Sequence, residues 1–204
     1  DESNFMESRY GPNRLEKVTV LQGLRNYLKG IAEVDYAKGC DVINQGWPST
    51  EILPEPLSDT EKSDIRNAVD KALDCDVIIA VLGEDEYRTG ESRSRTSLDL
   101  PGRQQELLEA LHATGKPVVV VLINGQPLTI NWADKHIPAI LETWFPSCQG
   151  GTIIAETLFG DYNPGGKLTV TFPKSVGQIE LNFPFKPGSH GTQPQSGPNG
   201  SGST

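Results

Sequence analysis

Two uninterrupted apolar runs constrain this chain more than anything else in it: Val77-Ile78-Ile79-Ala80-Val81-Leu82 and Pro117-Val118-Val119-Val120-Val121-Leu122-Ile123. Both are strand-length and rich in β-branched residues, and neither alternates with polar positions. That pattern reads as strands buried on both faces, as inside a parallel sheet covered by helices. The flanking segments supply those helices. Val18–Lys29 carries Val18, Leu21, Leu24 and Leu28 on one stripe and stops at Gly30. Ser58-Asp59-Thr60-Glu61 is a capping box, and the helix it opens is expected to bury Ile65, Ala68, Val69, Ala72 and Leu73. Pro101-Gly102 starts a helix that turns Leu107, Leu108 and Leu111 inward and ends at Gly115. Gly150-Gly151 leads into a helix over Thr152–Phe159.

Ala32–Ala37, Ala139–Trp144 and Lys167–Phe172 are predicted as three further strands. The alternation gives an α/β fold: an open, mostly parallel twisted sheet with helices on both faces, a flavodoxin-like three-layer sandwich. At 204 residues the chain is one large domain or one and a half small ones. From Pro187 to Thr204 it is rich in Pro, Gly and Ser and predicts a flexible tail or loop. Residues 1–186 form the expected folded domain.

The formal net charge of −9, with no basic stripe, argues against nucleic acid or an anionic membrane as a partner. No apolar run approaches the roughly 18 residues of a spanning helix, so membrane insertion is not expected. The N-terminus has neither a signal-peptide pattern nor an initiator Met, and the chain reads as a piece of something longer. Cys40, Cys75 and Cys148 lie far apart with no metal-ligand spacing and read as small structural thiols. No glycine-rich phosphate loop follows a strand, so no cofactor is predicted.

Chemistry concentrates in Gly83–Pro101, GEDEYRTGESRSRTSLDLP, the loop that leaves the first apolar run. Open parallel sheets build their sites beyond the carboxyl ends of their strands, where this loop belongs.

This loop, together with GKPVVVVLINGQPL, AILETWFPSCQGG and AETLFGDYNPGGKLTVTFPKSVGQI, resembles the C-terminal α/β sandwich domain of glycoside hydrolase family 3, the β-glucosidases and β-xylosidases. The matching blocks cover about half the chain in unbroken order. The resemblance implies the acid/base-bearing domain of a retaining, exo-acting β-glycosidase of β-glucosidase type. Its partner would be an N-terminal (β/α)-barrel domain of the same protein, carrying the aspartate nucleophile, and its substrate an oligosaccharide or glycoside. The domain here is expected to lack the family's first strand and to be inactive alone. A periplasmic or secreted location is implied as well. The alternative is a non-catalytic domain that binds carbohydrate or merely covers the barrel.

Within the family pattern, Gly90-Glu91-Ser92-Arg93-Ser94-Arg95 precedes Leu98-Asp99-Leu100-Pro101, which aligns Glu91 with the proton donor. Ser94 stands where the family usually has aspartate. A donor must hold its proton near neutral pH, whereas Arg93 and Arg95 would oppose that if they faced it. Both arginines are therefore expected to turn toward other carboxylates. Glu84, directly after the strand, reads as a structural carboxylate bonded to loop amides or an arginine. Glu86, Tyr87 and Arg88 are candidates for touching an aglycone. Trp144-Phe145-Pro146 reads as core or interface packing and Trp132 as packing on a helix. Trp47 is the better candidate for stacking on sugar.

Overall fold

The structure is a computed structural model that describes residues 6, 8–11, 15–43 and 56–179. Trp47, His190 and the 187–204 tail lie outside the described residues. Helix α1 (Val20–Tyr27) comes first, followed by α2 (Asp59–Leu73), β1 (Ile78–Gly83), α3 (Gln104–His112) and β2 (Val118–Ile123). Then come α4 (Asn131–His136), β3 (Ala139–Glu142), α5 (Gly150–Phe159) and a 3-10 turn at Val176–Gln178. Among the described residues the sheet has three strands in the order β1-β2-β3, all parallel. Ile78 pairs with Val118 and Gly83 with Ile123, while Val119 pairs with Ala139.

The alternating sides of β2 fill two separate cores. Val118, Val120 and Leu122 join α2, α3 and α4 in one cluster with Ile65, Ala68, Leu107, Leu108 and Ala133. Val121 and Ile123 join α1 and α5 in the other, with Val20, Leu24, Ile154 and Ala155. Helices thus cover both faces, which explains why the strand has no polar position. The three-layer α/β architecture expected from the sequence is present.

The capping box forms in full. Glu61 donates its backbone N–H to the Ser58 hydroxyl, and the Ser58 amide donates to the Glu61 carboxylate at 2.7 Å. Burial works against ionisation of Glu61, but its bonds from Ser58 and Arg103 outweigh that and hold the carboxyl below its ordinary range. On the opposite face α1 and α5 meet through glycines. A Cβ on Gly23 would stand 2.1 Å from the Gly151 carbonyl oxygen, and one on Gly151 would stand 2.0 Å from that of Thr19. The Gly151 amide donates to Val18 at 3.0 Å, which ties the entrance of α5 to that of α1.

Several expectations need correction. Ala32–Ala37 and Lys167–Phe172 are not strands. Among the described residues neither ladders with a strand, and residues 161–170 are all exposed. Leu73 is exposed at the end of α2, and Val20 rather than Val18 leads the buried stripe of α1. Helix α4 was not expected. Its short span, NWADKH, has too few apolar positions to show a period, and it forms because Trp132 packs between His112 and His136. Trp132 thereby packs on α3, as its sequence context implied. Burial pushes the Cys40 thiol up to about 12, so it stays protonated as a small core residue.

Candidate functional site

The carboxyl ends of β1, β2 and β3 present Glu84, Asn124 and Glu142 at one rim of the sheet. The Gly83 carbonyl and amide are both taken up by the buried carboxamide of Gln104, at 2.8 and 2.7 Å. Gly83 itself has φ +138°, and a Cβ there would lie 1.9 Å from the Ile123 carbonyl oxygen. Only glycine fits where the chain leaves the sheet.

Glu84 is fully withdrawn from water and is the hub of the loop. Arg95 donates to it in an ion pair with both side chains buried. Gln126 donates to the same carboxylate at 2.9 Å and the Gly125 amide at 3.3 Å. Glu84 is thus a structural carboxylate joining the loops after β1 and β2, as its position in the sequence implied. Arg95 also donates to the Asp99 carbonyl at 3.2 Å, and Asp99 in turn accepts from Ser97 and Thr129.

Asp85 is also buried, and its carboxylate accepts from the amides of Tyr87 and Arg88, both at 3.1 Å. Burial raises its pKa, and those two amides offset only part of the effect. Arg88 is only 2% exposed, so it is not at the surface where an aglycone would meet it. Tyr87 is exposed and remains available.

Glu91 lies on the exposed outer turn of this loop. Its main chain is held on both sides. The Glu91 amide donates to the Tyr10 hydroxyl at 2.7 Å, and Arg9 donates to the Glu91 carbonyl at 3.0 Å. The flanking residues have left-handed backbones, Gly90 at φ +108° and Ser92 at φ +62°. A Cβ at Gly90 would sit 2.8 Å from the Arg9 side chain. The carboxylate of Glu91 itself makes no hydrogen bond or ion pair among the described residues. Of the two neighbouring arginines, Arg95 turns to Glu84 as expected. Arg93 makes no ion pair with a carboxylate among the described residues. It is exposed, where water screens it and no burial demands a partner. The contribution of Arg9 and Tyr10 was not foreseen, because they are more than 80 positions away in sequence and only folding brings them to Glu91.

Across the rim, Glu142 is half-buried, and burial raises its pKa. It accepts from the Trp144 amide at 2.8 Å and the Asn124 side chain at 3.3 Å. This anchors Trp144 in a left-handed conformation, φ +51°. The Trp144 ring lies 6.1 Å from that of Phe172 and Phe145 joins the second core, consistent with packing roles. Among the described residues no group of His, Cys, Asp and Glu could hold a metal ion. No helix there is long and apolar enough to cross a membrane.

Residues 4–199 match the glycosyl hydrolase family 3 C-terminal domain. Among curated proteins the chain is similar to a β-xylosidase of Formosa agariphila, 43% identical over 170 residues, or 83% of this chain and 21% of that protein. It is equally similar to a periplasmic β-glucosidase of Salmonella typhimurium, 43% identical over 173 residues, or 82% of this chain and 23% of that one. Among solved structures it is similar to a β-glucosidase of Erythrobacter marinus, with a TM-score of 0.72 at 39% identity over 84% of this chain and 25% of that one. A β-glucosidase of Listeria innocua in complex with isofagomine gives 0.68 at 29% identity over 87% and 22%. The chain therefore spans about a fifth of the length of the curated relatives it matches.

Proposed function

Because this chain belongs to the glycosyl hydrolase family 3 C-terminal domain, we propose that it is the acid/base-bearing part of a retaining exo-β-glycosidase of β-glucosidase type. The folded domain would end near residue 186. The nucleophile would be an aspartate on an N-terminal barrel of the same polypeptide, and the substrate a glycoside or oligosaccharide with a terminal β-linked sugar. A periplasmic or secreted location fits the relative whose name carries the word periplasmic.

One observation carries the reading. Glu91 is exposed beyond the end of β1 with its main chain fixed by Tyr10 and Arg9, while the neighbouring Arg95 is committed to Glu84. In this role Glu91 gives its proton to the leaving oxygen as the glycosidic bond breaks, then takes one from the water that releases the sugar. The two carboxyls of a retaining enzyme stand about 5–5.5 Å apart. Docking of the barrel would bring its aspartate to that distance and remove water from Glu91, favouring the protonated form. The chain alone would lack the nucleophile and turn over no glycoside.

The test is Glu91→Gln in the full-length enzyme. Loss of a general acid lowers the rate on unactivated glycosides by about 10²–10⁴-fold. It spares glycosylation from activated aryl glycosides, whose leaving groups need no proton, and added azide restores deglycosylation. Wild-type rates on unactivated substrates, or turnover by the 204-residue chain alone, would sink the proposal.

A further inference from the structure

Two arginines flank Glu91 with no counter-charge among the described residues. The Arg93 amide donates to the Gly90 carbonyl at 3.2 Å, which closes a tight turn with Glu91 and Ser92 at its tip. The two ends of such a turn lie within about 7 Å of each other. Arg9 reaches the same place from the N-terminal stretch. Its Nη1 donates to the Glu91 carbonyl at 3.0 Å, and a Cβ on Gly90 would sit 2.8 Å from its Cδ. Arg9 and Arg93 thus belong to one turn, and both are exposed. Neither makes an ion pair among the described residues.

This placement runs against the composition of the chain. Asp and Glu outnumber Lys and Arg by 27 to 18, so acidic partners are plentiful. The other two arginines of the loop are withdrawn from water, Arg95 against Glu84 and Arg88 at 2% exposure. A cation beside a proton donor also works against it, because positive charge favours the ionised carboxyl. Arg9 is moreover held still. One N–H bonds the Glu91 carbonyl, and the guanidinium lies over the Tyr10 ring, 5.5 Å from its centroid. That arrangement gives up rotamer freedom that a surface arginine normally keeps. The remaining N–H donors of Arg9 bond nothing among the described residues.

The position of the turn says what these cations meet. A general acid comes within hydrogen-bond reach, roughly 2.6–3.2 Å, of the oxygen it protonates. Groups that touch the main chain of Glu91 therefore lie beside the leaving group. A guanidinium fork matches the oxygens of a carboxylate, and those of a tetrahedral oxyanion such as phosphate, whose shape sulfate shares. Neutral sugar hydroxyls would leave the charge of the fork unanswered.

Building on Glu91 as the proton donor, we propose that Arg9 and Arg93 form a subsite for an oxyanion on the leaving group. The favoured substrates are then glycosides whose aglycone unit carries a carboxylate, as in a uronic acid, or a sulfate ester. The bound oxyanion supplies the counter-charge that the turn lacks, and it offsets the pull of two cations on the proton to be donated.

The full-length enzyme tests this with three β-disaccharides built on the glycone that it cleaves from aryl glycosides. Their reducing-end units are glucose, glucuronic acid, and glucose with a sulfate ester on its primary hydroxyl. Charge-assisted bonds to the arginines predict kcat/KM about 10–100-fold higher for an oxyanion substrate than for the neutral one, chiefly through KM. A gain with glucuronic acid alone identifies a carboxylate site and a gain with the sulfate alone a sulfate site, and either supports the proposal. Arg9→Gln and Arg93→Gln should each lower the ratio of oxyanion to neutral kcat/KM about tenfold, and added salt should shrink that ratio in the wild type. The ratio is the readout because Arg9 also holds the Glu91 turn, and Arg93→Gln, at an exposed side chain without an ion pair among the described residues, gives the answer where Arg9→Gln disturbs that turn. Equal kcat/KM on all three substrates would overturn the proposal, as would a preference that survives both substitutions. Glu91→Gln keeps the two readings apart. Lost turnover in that variant, with no oxyanion preference in the wild type, sinks the subsite alone, whereas undiminished turnover sinks the donor assignment and the subsite with it.

Discussion

Arg95 and Glu84 form an ion pair in which the arginine side chain is 3% exposed and the glutamate 0%, so the loop after β1 is pinned to the sheet by two charges removed from water. The pair has two consequences. It fixes the far limb of the turn that presents Glu91, and it spends the positive charge of Arg95 on a carboxylate other than Glu91. The Gln126 side chain and the Gly125 amide complete the shell around Glu84, so its charge is met from three directions.

Arg95→Ala leaves the buried Glu84 carboxyl without its cation, beside two neutral donors. Breaking a buried pair in this way costs about 3–5 kcal/mol. Urea unfolding of the two proteins should show the loss in the midpoint with an unchanged slope. A change below about 1 kcal/mol, the value of an exposed pair, would mean the pair is open in solution.

Tyr10→Phe removes the acceptor for the Glu91 amide without altering the ring under Arg9. The bond is at the surface, so its loss costs stability only about 0.5–1.5 kcal/mol. If Glu91 is the proton donor, kcat of the full-length enzyme on unactivated glycosides falls several-fold while KM holds. Equal changes in activated and unactivated substrates would show that the bond shapes the loop and not the donor.

Gly151→Ala places a methyl where the Thr19 carbonyl lies 2.0 Å away, and both sides of that contact are backbone. The helices must separate, and overpacking of this kind costs about 1–3 kcal/mol, or more where backbone cannot yield. Gly160→Ala is the control. It meets no atom within 4 Å and is strained only by φ +88°, so thermal unfolding should rank Gly151→Ala well below it.

Glu142 sets a pH dependence. Burial raises its folded pKa above the unfolded value of about 4.3, so the folded state holds the proton more tightly. The stability this confers is present below the unfolded pKa and is lost as pH rises through the folded one. Glu142→Gln should therefore flatten the fall in stability across that window, read from denaturant midpoints at successive pH values. A parallel curve for the two proteins would mean that Glu142 titrates as a solvent-exposed carboxylate.

The sequence by itself determined the elements whose signals are local. Two all-apolar runs mean strands covered on both faces, because no polar side chain is spared for water, and Ser58 with Glu61 means a helix start, because both halves of the capping box lie within one turn. The loop GESRSRTSLDLP likewise put Glu91 and Arg95 next to each other in view. Only the tertiary structure decided what those side chains do. It sent Arg95 to Glu84 but left Arg93 in water, buried Arg88, and brought Tyr10 and Arg9 to the main chain of Glu91. It also kept Ala32–Ala37 and Lys167–Phe172 out of the sheet. A strand exists only when its backbone N–H and C=O groups meet a neighbour, and a charge takes the partner that burial forces on it. Both are properties of what lies across space, which spacing along the chain does not record.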